Sequence, residues 1–554
     1  MTGTDWTDGL ATPPELADRL LAGTVGREHL LGTAAVAQKA AAAAPGKAAL
    51  ARRHLLLLAA ALEEDSLHGP TAAAVVNAAA ALSPECNPVS PAFVALSAKL
   101  ATLCTIPANV GYYQRLTAKD DRNRLRRYLE NECRSGQNRL FWLHVALRRA
   151  VLFRDFDWGE SCLRAALPPA LSPLAAKLAG DLALAAGRPI LALEHYTAAA
   201  DAVPWPTGLF RLGLAAWQTG DRARALAHLS GIARRHPWHV SAWLAAADIL
   251  LDRDTALAPF PGRMAICCYT FAKAAALDRT LAGLFASDMG TATITVLDNA
   301  SPDDTPAVLA AWTERIGADR LRCLRLPVNI GAPAARNWLL REPGPRQADY
   351  VAFLDDDVDL PGDWLARLGA AAAAYPEAGV WGCRVTDAAN PAIAQGVGAT
   401  LLLPSDGGSP EAEPKLSDAQ AEVFESGVFS HLRPCLSVMG CCHVFRRDRL
   451  LACGDFDIRF SPSQCDDVDH DLRLALAGSP AVYQGHLAVR HRRPAPILAP
   501  LRPDQLAGAE AHRYKLLAKH KGHFEELGAI MRRVLVADLE TKRRYLAAAG
   551  LLET

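Results

Sequence analysis

Tyr350-Val-Ala-Phe-Leu-Asp-Asp-Asp-Val-Asp359 is the stretch on which the reading of this chain turns. Its first half, Tyr350 to Leu354, is a short apolar run of the kind that forms a strand buried on both faces. Its second half places Asp355, Asp356, Asp357 and Asp359 directly after that run. Carboxylates this close repel one another, and each loses hydration at the end of a core strand. No Lys or Arg stands beside them in sequence, so a shared cation is the economical solution. In extended backbone Asp355 and Asp357 project to one side and Asp356 to the other. Two carboxylates on one side suit Mg2+ or Mn2+, which take oxygen ligands and keep positions for phosphate oxygens and water.

Similar apolar runs flank this one. Met264 to Thr270 (MAICCYT), Thr293 to Asn299 (TITVLDN), Leu321 to Pro327 (LRCLRLP) and Ala378 to Val385 (AGVWGCRV) alternate with segments of helical length. That alternation predicts an α/β domain with a mostly parallel sheet covered on both faces. Ligands of such sheets bind beyond the carboxyl ends of the strands. Asp298 and the Asp355 cluster both stand at such ends.

Before the Pro/Gly linker Ala258 to Arg263 (APFPGR), the pattern is almost wholly helical. Within it Gly180 to Trp205 is echoed by Gly213 to Trp238: Gly180 matches Gly213, Gly187 matches Gly220, Ala192 matches Ala225, and Pro204-Trp205 matches Pro237-Trp238. Each unit reads as helix, tight turn at the second Gly, helix, and Pro before the next helix. This resembles the tetratricopeptide repeat, most clearly from about 171 to 251, whose grooves take peptides or partner helices.

Further short motifs follow the first strands. Val296 to Thr305 (VLDNASPDDT), Asn329 to Asn337 (NIGAPAARN), Asp355 to Asp357, Gly454 to Gly478 (GDFDIRFSPSQCDDVDHDLRLALAG) and Ala481 to His491 (AVYQGHLAVRH) stand in that order. Together they resemble the family 2 glycosyltransferases of the GT-A fold. That family's usual run is V-D-N-x-S, N-x-G, A-R-N, D-x-D, G-x-F, E-D-x-D with a following Arg, and a late His. The resemblance spans about Met264 to His491. It implies a Rossmann-like, mostly parallel GT-A domain after an all-α repeat domain, with limits at 1–258 (helical), 262–495 (catalytic) and 496–554 (helical extension).

The resemblance also implies roles. Thr270 and Asp298 match the nucleobase and ribose contacts, where a carboxylate accepts the imide N–H of uracil or thymine. Asn329, Gly331 and Arg336 match the loop and helix start of the nucleotide pocket, and Asp355 and Asp356 complete the nucleotide set. Asp355, Asp357 and His491 match the metal site for Mn2+ or Mg2+. Asp467 matches the catalytic base of a direct, inverting displacement. Asp466 stands where Glu is usual, which leaves the base between these two acids. CCYTFAKAAAL replaces the commoner P-x-Y-N-R after the first strand, making Lys273 the counterpart of that Arg. The donor implied is a UDP- or dTDP-sugar, and the acceptor a surface glycan or a protein, with the repeats receiving it or a protein partner.

Taken singly, each residue has a plainer role. Asp298 and Asp303 suit turn and helix caps, Asp359 a cap ahead of Pro361, and Arg473 an i,i+4 pair with Asp469. What they do not account for is the recurrence of one family's order. A repeat scaffold with an inactive transferase-like domain is the alternative from another class, and it would lack the D-x-D, the base or the late His. A sugar nucleotidyltransferase would need a Gly-rich loop straight after the first strand, where this chain has none.

Composition narrows the field further. The chain has 554 residues, 51% hydrophobic and 21% charged, and Lys+Arg and Asp+Glu both total 59. A net charge of +0 offers no field for nucleic acid. The N-terminus lacks the pattern of a signal peptide, and no apolar run reaches the length of a membrane span, so a cytoplasmic protein is expected. Thirteen scattered cysteines suit a reducing compartment and small buried roles rather than zinc. The polar stretch between Pro404 and Pro434 reads as a loop or lid, and the last segment, from about Pro494, reads as helical and basic-amphipathic (His512 to Leu527), docking on the catalytic domain or touching a membrane surface.

Overall fold

The structure is a computed structural model that describes residues 12–43, 48–404, 413–417 and 423–552. The parts of the expected loop at 405–412 and 418–422 lie outside the described residues. The chain forms two compact units. One runs to Ala247 and takes in a short piece ending at Val428 and the chain from Lys542; the other comprises the remaining residues from Asp248 to Thr541.

The first unit is helical. Its two matched hairpins are Ser172–Ala185 with Pro189–Ala202, and Phe210–Gln218 with Arg222–Arg235. Gly180 lies so close to Tyr196 that an added Cβ would sit 2.7 Å from its ring, and Gly213 lies equally close to Leu229. Gly187 and Gly220 close the turns at φ +72° and +85°, where side chains are strained. Ala192, Ala225, Trp205 and Trp238 are buried at matching places. The repeat in sequence is therefore a repeat in packing.

The second unit is built on a mixed sheet. Its strands are β1 (Met264–Thr270), β2 (Thr293–Asp298), β3 (Leu321–Arg325), β4 (Tyr350–Asp355), β5 (Val358–Asp359), β6 (Val380–Asp387), β7 (Ala394–Gly396), β8 (Thr400–Leu402), β9 (Lys415–Ser417), β10 (Leu432–Cys435), β11 (Cys442–Arg446) and β12 (Ala481–His491). Among the described residues the order is β10-β12-β6-β11-β4-β1-β2-β3, with β5 on β12 and β7 on β6, while β8 and β9 form a separate pair. β1 to β4 are mutually parallel, as the apolar runs predicted. β11 runs antiparallel between β4 and β6, which the sequence reading did not foresee. Its apolar residues Cys442, Val444 and Phe445 are as buried as those of a parallel strand, so burial alone does not reveal direction. The cysteines are free, and Cys267, Cys268, Cys383, Cys435, Cys441 and Cys442 are buried in strands or beside them. No described helix is long and apolar enough to cross a membrane.

Register brings the site together. Thr270 is level with Asp298, and Tyr269 with Asp355, so β1, β2 and β4 end at one edge. β12 reaches that edge from the other side, pairing His491 with Val358 next to Asp357.

Candidate active site

Asp355, Asp357 and His491 each direct one donor atom into a group whose members all lie within 4.8 Å of one another. His491 Nε2 is 3.0 Å from Asp357 Oδ1 and 3.9 Å from Asp355 Oδ2. His491 Nδ1 lies 2.8 Å from Gln395 Oε1. The Gln395 amide nitrogen donates to Arg493 O at 2.8 Å, which fixes Oε1 as the acceptor for Nδ1–H. Nε2 is thereby turned towards two carboxylates, where it needs either a proton or a metal ion. One imidazole nitrogen and two carboxylates make a donor set that fits a divalent ion such as Mn2+ or Mg2+.

The electrostatics divide the three acids. Burial pushes the Asp355 carboxyl up to about 6, with Asp357 and Asp356 adding to the effect. Burial also raises Asp356, against the pull of Lys273. For Asp357 burial is outweighed by His491 and Lys273, and its pKa falls below the usual carboxylate range. Burial opposes a charged His491, but the hydrogen bond and charge of Asp357 and the charge of Asp355 raise its pKa. Lys273 Nζ bridges Asp356 Oδ1 at 2.9 Å and Asp357 Oδ2 at 2.8 Å. The local sequence of the cluster gave no sign of this partner, because Lys273 follows β1 and reaches the acids through the sheet order.

The neighbouring strand ends carry the expected nucleotide residues. Thr270 and Asp298 are both 1% exposed. Asp298 Oδ1 accepts from Ser301 N at 2.8 Å, so it does cap the turn, while Oδ2 faces Arg325 Nε at 3.4 Å. Asn329 is exposed, and its Oδ1 accepts from Asn299 Nδ2 and Gly331 N, both at 2.9 Å. Gly331 has φ +79°, and a Cβ there would meet Ser461 Oγ at 2.9 Å.

Arg336, expected at the helix start of the nucleotide pocket, is buried. It is 3% exposed, pairs with Asp466 and donates to Gly440 O at 3.2 Å, above the rings of Tyr269, Phe353 and Phe456. Asp466 is thus buried and occupied, and burial raises its pKa despite Arg336. Asp467 is partly exposed; its Oδ2 accepts from Gly440 N at 2.9 Å. The next residue, Cys441, accepts from Asp355 N through its carbonyl at 2.9 Å. Two consecutive residues therefore tie Asp467 to the Asp355 strand. Gly440 had no motif to announce it, and neither did Tyr269, whose hydroxyl is 3.2 Å from Asp355 Oδ1, or Gln395.

Other local roles resolve plainly. Asp359 lies in β5 paired with Arg492 and does not cap the following helix, which starts at Trp364. Its place in a strand leaves the N-cap position to Asp363. Arg473 makes the i,i+4 bond to Asp469 at 3.1 Å.

A parallel core with acids gathered at its carboxyl edge places them where ligands of α/β sheets bind. The sequence profile described as Glycosyl transferase family 2 matches residues 265–400, so this part of the chain is a family 2 glycosyltransferase domain. Similar solved structures include the mannosyltransferase PcManGT from Pyrobaculum calidifontis in complex with GDP-Man and Mn2+, 17% identical, covering 57% of this chain and 88% of that one, TM-score 0.36. GalNAc-T7 with UDP, GalNAc and Mn2+ is 11% identical over 49% of this chain and 54% of that one, TM-score 0.33. S. aureus TarS is 14% identical over 47% of this chain and 43% of that one, TM-score 0.30. The chain thus spans about half the length of the last two or less. Comparison with curated protein sequences finds no match.

Proposed function

We propose that the protein is a metal-dependent, inverting glycosyltransferase that moves a sugar from a UDP- or dTDP-linked donor to a glycan or protein acceptor. The observation that carries this reading is the Asp355-Asp357-His491 donor group, tied through Gly440 and Cys441 to Asp467. Thr270, Asp298, Asn329, Gly331, Asp355 and Asp356 line the nucleotide side, with Arg336 behind them. A divalent ion held by Asp355, Asp357 and His491 would offset the charge of the departing diphosphate. Asp467 is the base. Its carboxylate takes the proton of the acceptor hydroxyl as that oxygen bonds to C1 of the sugar and the C1–oxygen bond to the diphosphate breaks. Asp466 is buried against Arg336, so the partly exposed Asp467 is the acid that an acceptor hydroxyl reaches. The paired helices of the first unit act as tetratricopeptide-like repeats that receive the acceptor or a protein partner, and the free thiols suit the cytosol.

The test is calorimetry with UDP, dTDP, GDP and CDP, each with and without Mn2+, on the wild type and on Asp357→Ala. The expected result is one nucleotide diphosphate that binds only with metal and is lost in the variant. Absence of binding under every condition would remove the enzyme reading and leave the repeat-scaffold one.

A further inference from the structure

The turn that leads into Asp466 and Asp467 is strained. Gln464 and Cys465 have φ of +83° and +64°, a region that residues with side chains seldom occupy, and no side chain caps the helix Asp466–Leu476 that follows. Backbone in this state persists only where the surroundings hold it. On one side the holding group is the loop of the nucleotide edge, where Ala332 N donates to Pro462 O at 2.8 Å.

On another side it is a helix that the family match at 265–400 does not reach. The helix Pro503–His520 meets the segment 457–469 at four side chains. His512 Nδ1 is 2.9 Å from the carbonyl of Ser463, one residue before the strained pair, and its ring stands edge-on to Phe460. Lys515 Nζ donates to Arg459 O at 3.0 Å. Lys519 Nζ lies 2.7 Å from both Asp457 Oδ2 and Asp469 Oδ1. His520 Nε2 lies 2.8 Å from Asp469 Oδ1, on the same helix as the base. Residues 512, 515, 519 and 520 recur at helical spacing and form one face, with buried Leu516 between them. Tyr514, on another face, is 70% exposed.

This face does not contact the metal group. It grips the segment before the base through two backbone carbonyls, and it grips the first turn of the base's own helix through Asp469. We infer that the helix Pro503–His520 is a positioning element for Asp467, with His512 as its key residue. The inference rests on the reading of Asp467 as the base. His512 fixes the Ser463 carbonyl, the strained turn then has one arrangement, and the Asp467 carboxylate stays on Gly440 N and aimed at the acceptor. A displacement on the order of 1 Å at such a group costs up to about a hundredfold in rate.

The test uses the full chain in four forms: wild type, His512→Leu, His512→Asn and Tyr514→Ala. Amide hydrogen exchange is followed in peptides covering 457–468 and 350–358. Release of UDP or dTDP from UDP-glucose or dTDP-glucose, with Mn2+ and with water as acceptor, gives kcat and KM. His512→Leu is expected to speed exchange in 457–468 alone and to lower kcat about ten- to a hundredfold with KM unchanged. His512→Asn, which keeps an N–H donor, restores both, and Tyr514→Ala matches the wild type. Unchanged exchange in 457–468, or faster exchange with wild-type kcat, overturns the inference while leaving the transferase reading standing. A wild type that turns over neither donor counts against the transferase reading, and the positioning role falls with it.

Discussion

Each unit of the protein contains a run of three consecutive acids, and the two runs are treated in opposite ways. In the helical unit Glu63, Glu64 and Asp65 are each given fixed partners. Thr207 N and Leu209 N donate to Glu63 at 2.9 and 3.1 Å. Arg211 grips Glu64 with two bonds of 2.8 and 2.9 Å, and Gly26 N adds a third. Asp65 takes Arg27 at 2.5 Å and His144 at 3.4 Å. Burial works against both Glu64 and Asp65, yet their cations hold them below the usual carboxylate range. Only Glu63, whose donors are neutral, is raised by its burial. In the sheet unit Asp355, Asp356 and Asp357 share one half-exposed lysine and one histidine, and two of the three are pushed up. A closed charge account marks a structural cluster. An open one is, on the proposed function, where a metal ion would supply the missing charge.

Removing one acid from each run separates the two kinds of cluster. Asp357→Ala should lower transfer about a thousandfold, the scale of several kcal/mol of lost charge stabilisation, while the melting temperature stays near that of the wild type. Turnover assays beside a thermal melt give both numbers, and a large fall in melting temperature with activity kept would reverse the assignment. Glu64→Ala should act the other way. It leaves the Arg211 guanidinium buried without its partner, at a cost of about 3–5 kcal/mol in urea unfolding of the helical unit.

Acid sharpens the contrast. Because Glu64 and Asp65 have folded pKa values below their unfolded ones, the unfolded chain binds more protons as the pH falls through about 4. Their contribution to stability is complete above that range and is lost below it. Glu64→Gln should therefore show a flatter acid limb than the wild type in denaturation between about pH 5 and pH 2. The smallest effect is expected at Asp359. It is 46% exposed and paired with Arg492, so Asp359→Ala should change stability by less than about 1 kcal/mol.

What could be read from sequence was what is local. The apolar runs gave β1 to β4 and their parallel order, and the short motifs named Asp355, Asp357 and His491, which the fold does gather. Partners distant in sequence were less readable. Lys273 was named only as a counterpart of a family arginine, and its bond to Asp357 depends on β1 lying beside β4. Gln395 sits in a three-residue strand with no pattern of its own. The motif that places Arg336 at the nucleotide pocket carries no sign that Asp466, far along the chain, pairs with it. β11 could not be given a direction, since a strand buried on both faces has the same composition whichever way it runs. Asp359 illustrates the reverse: a residue type suited to capping was placed in a strand by its pairing with β12.

The link through Gly440 and Cys441 has a consequence for how such a protein changes its substrates. On the proposed function, the span from Asp467 to the Asp355 strand is set by two residues of backbone with a hydrogen bond at each end, and the peptide unit between them does not stretch. A side chain cannot be added to lengthen it, because a Cβ on Gly440 would lie 2.7 Å from Asp467 Oδ2 and 2.9 Å from the Arg336 guanidinium. In the proposed reaction the distance between the acid that takes the proton and the metal group then behaves as a fixed gauge. On that reading, new sugars or acceptors are admitted by reshaping the walls around the gauge, so selectivity and chemistry are free to diverge separately.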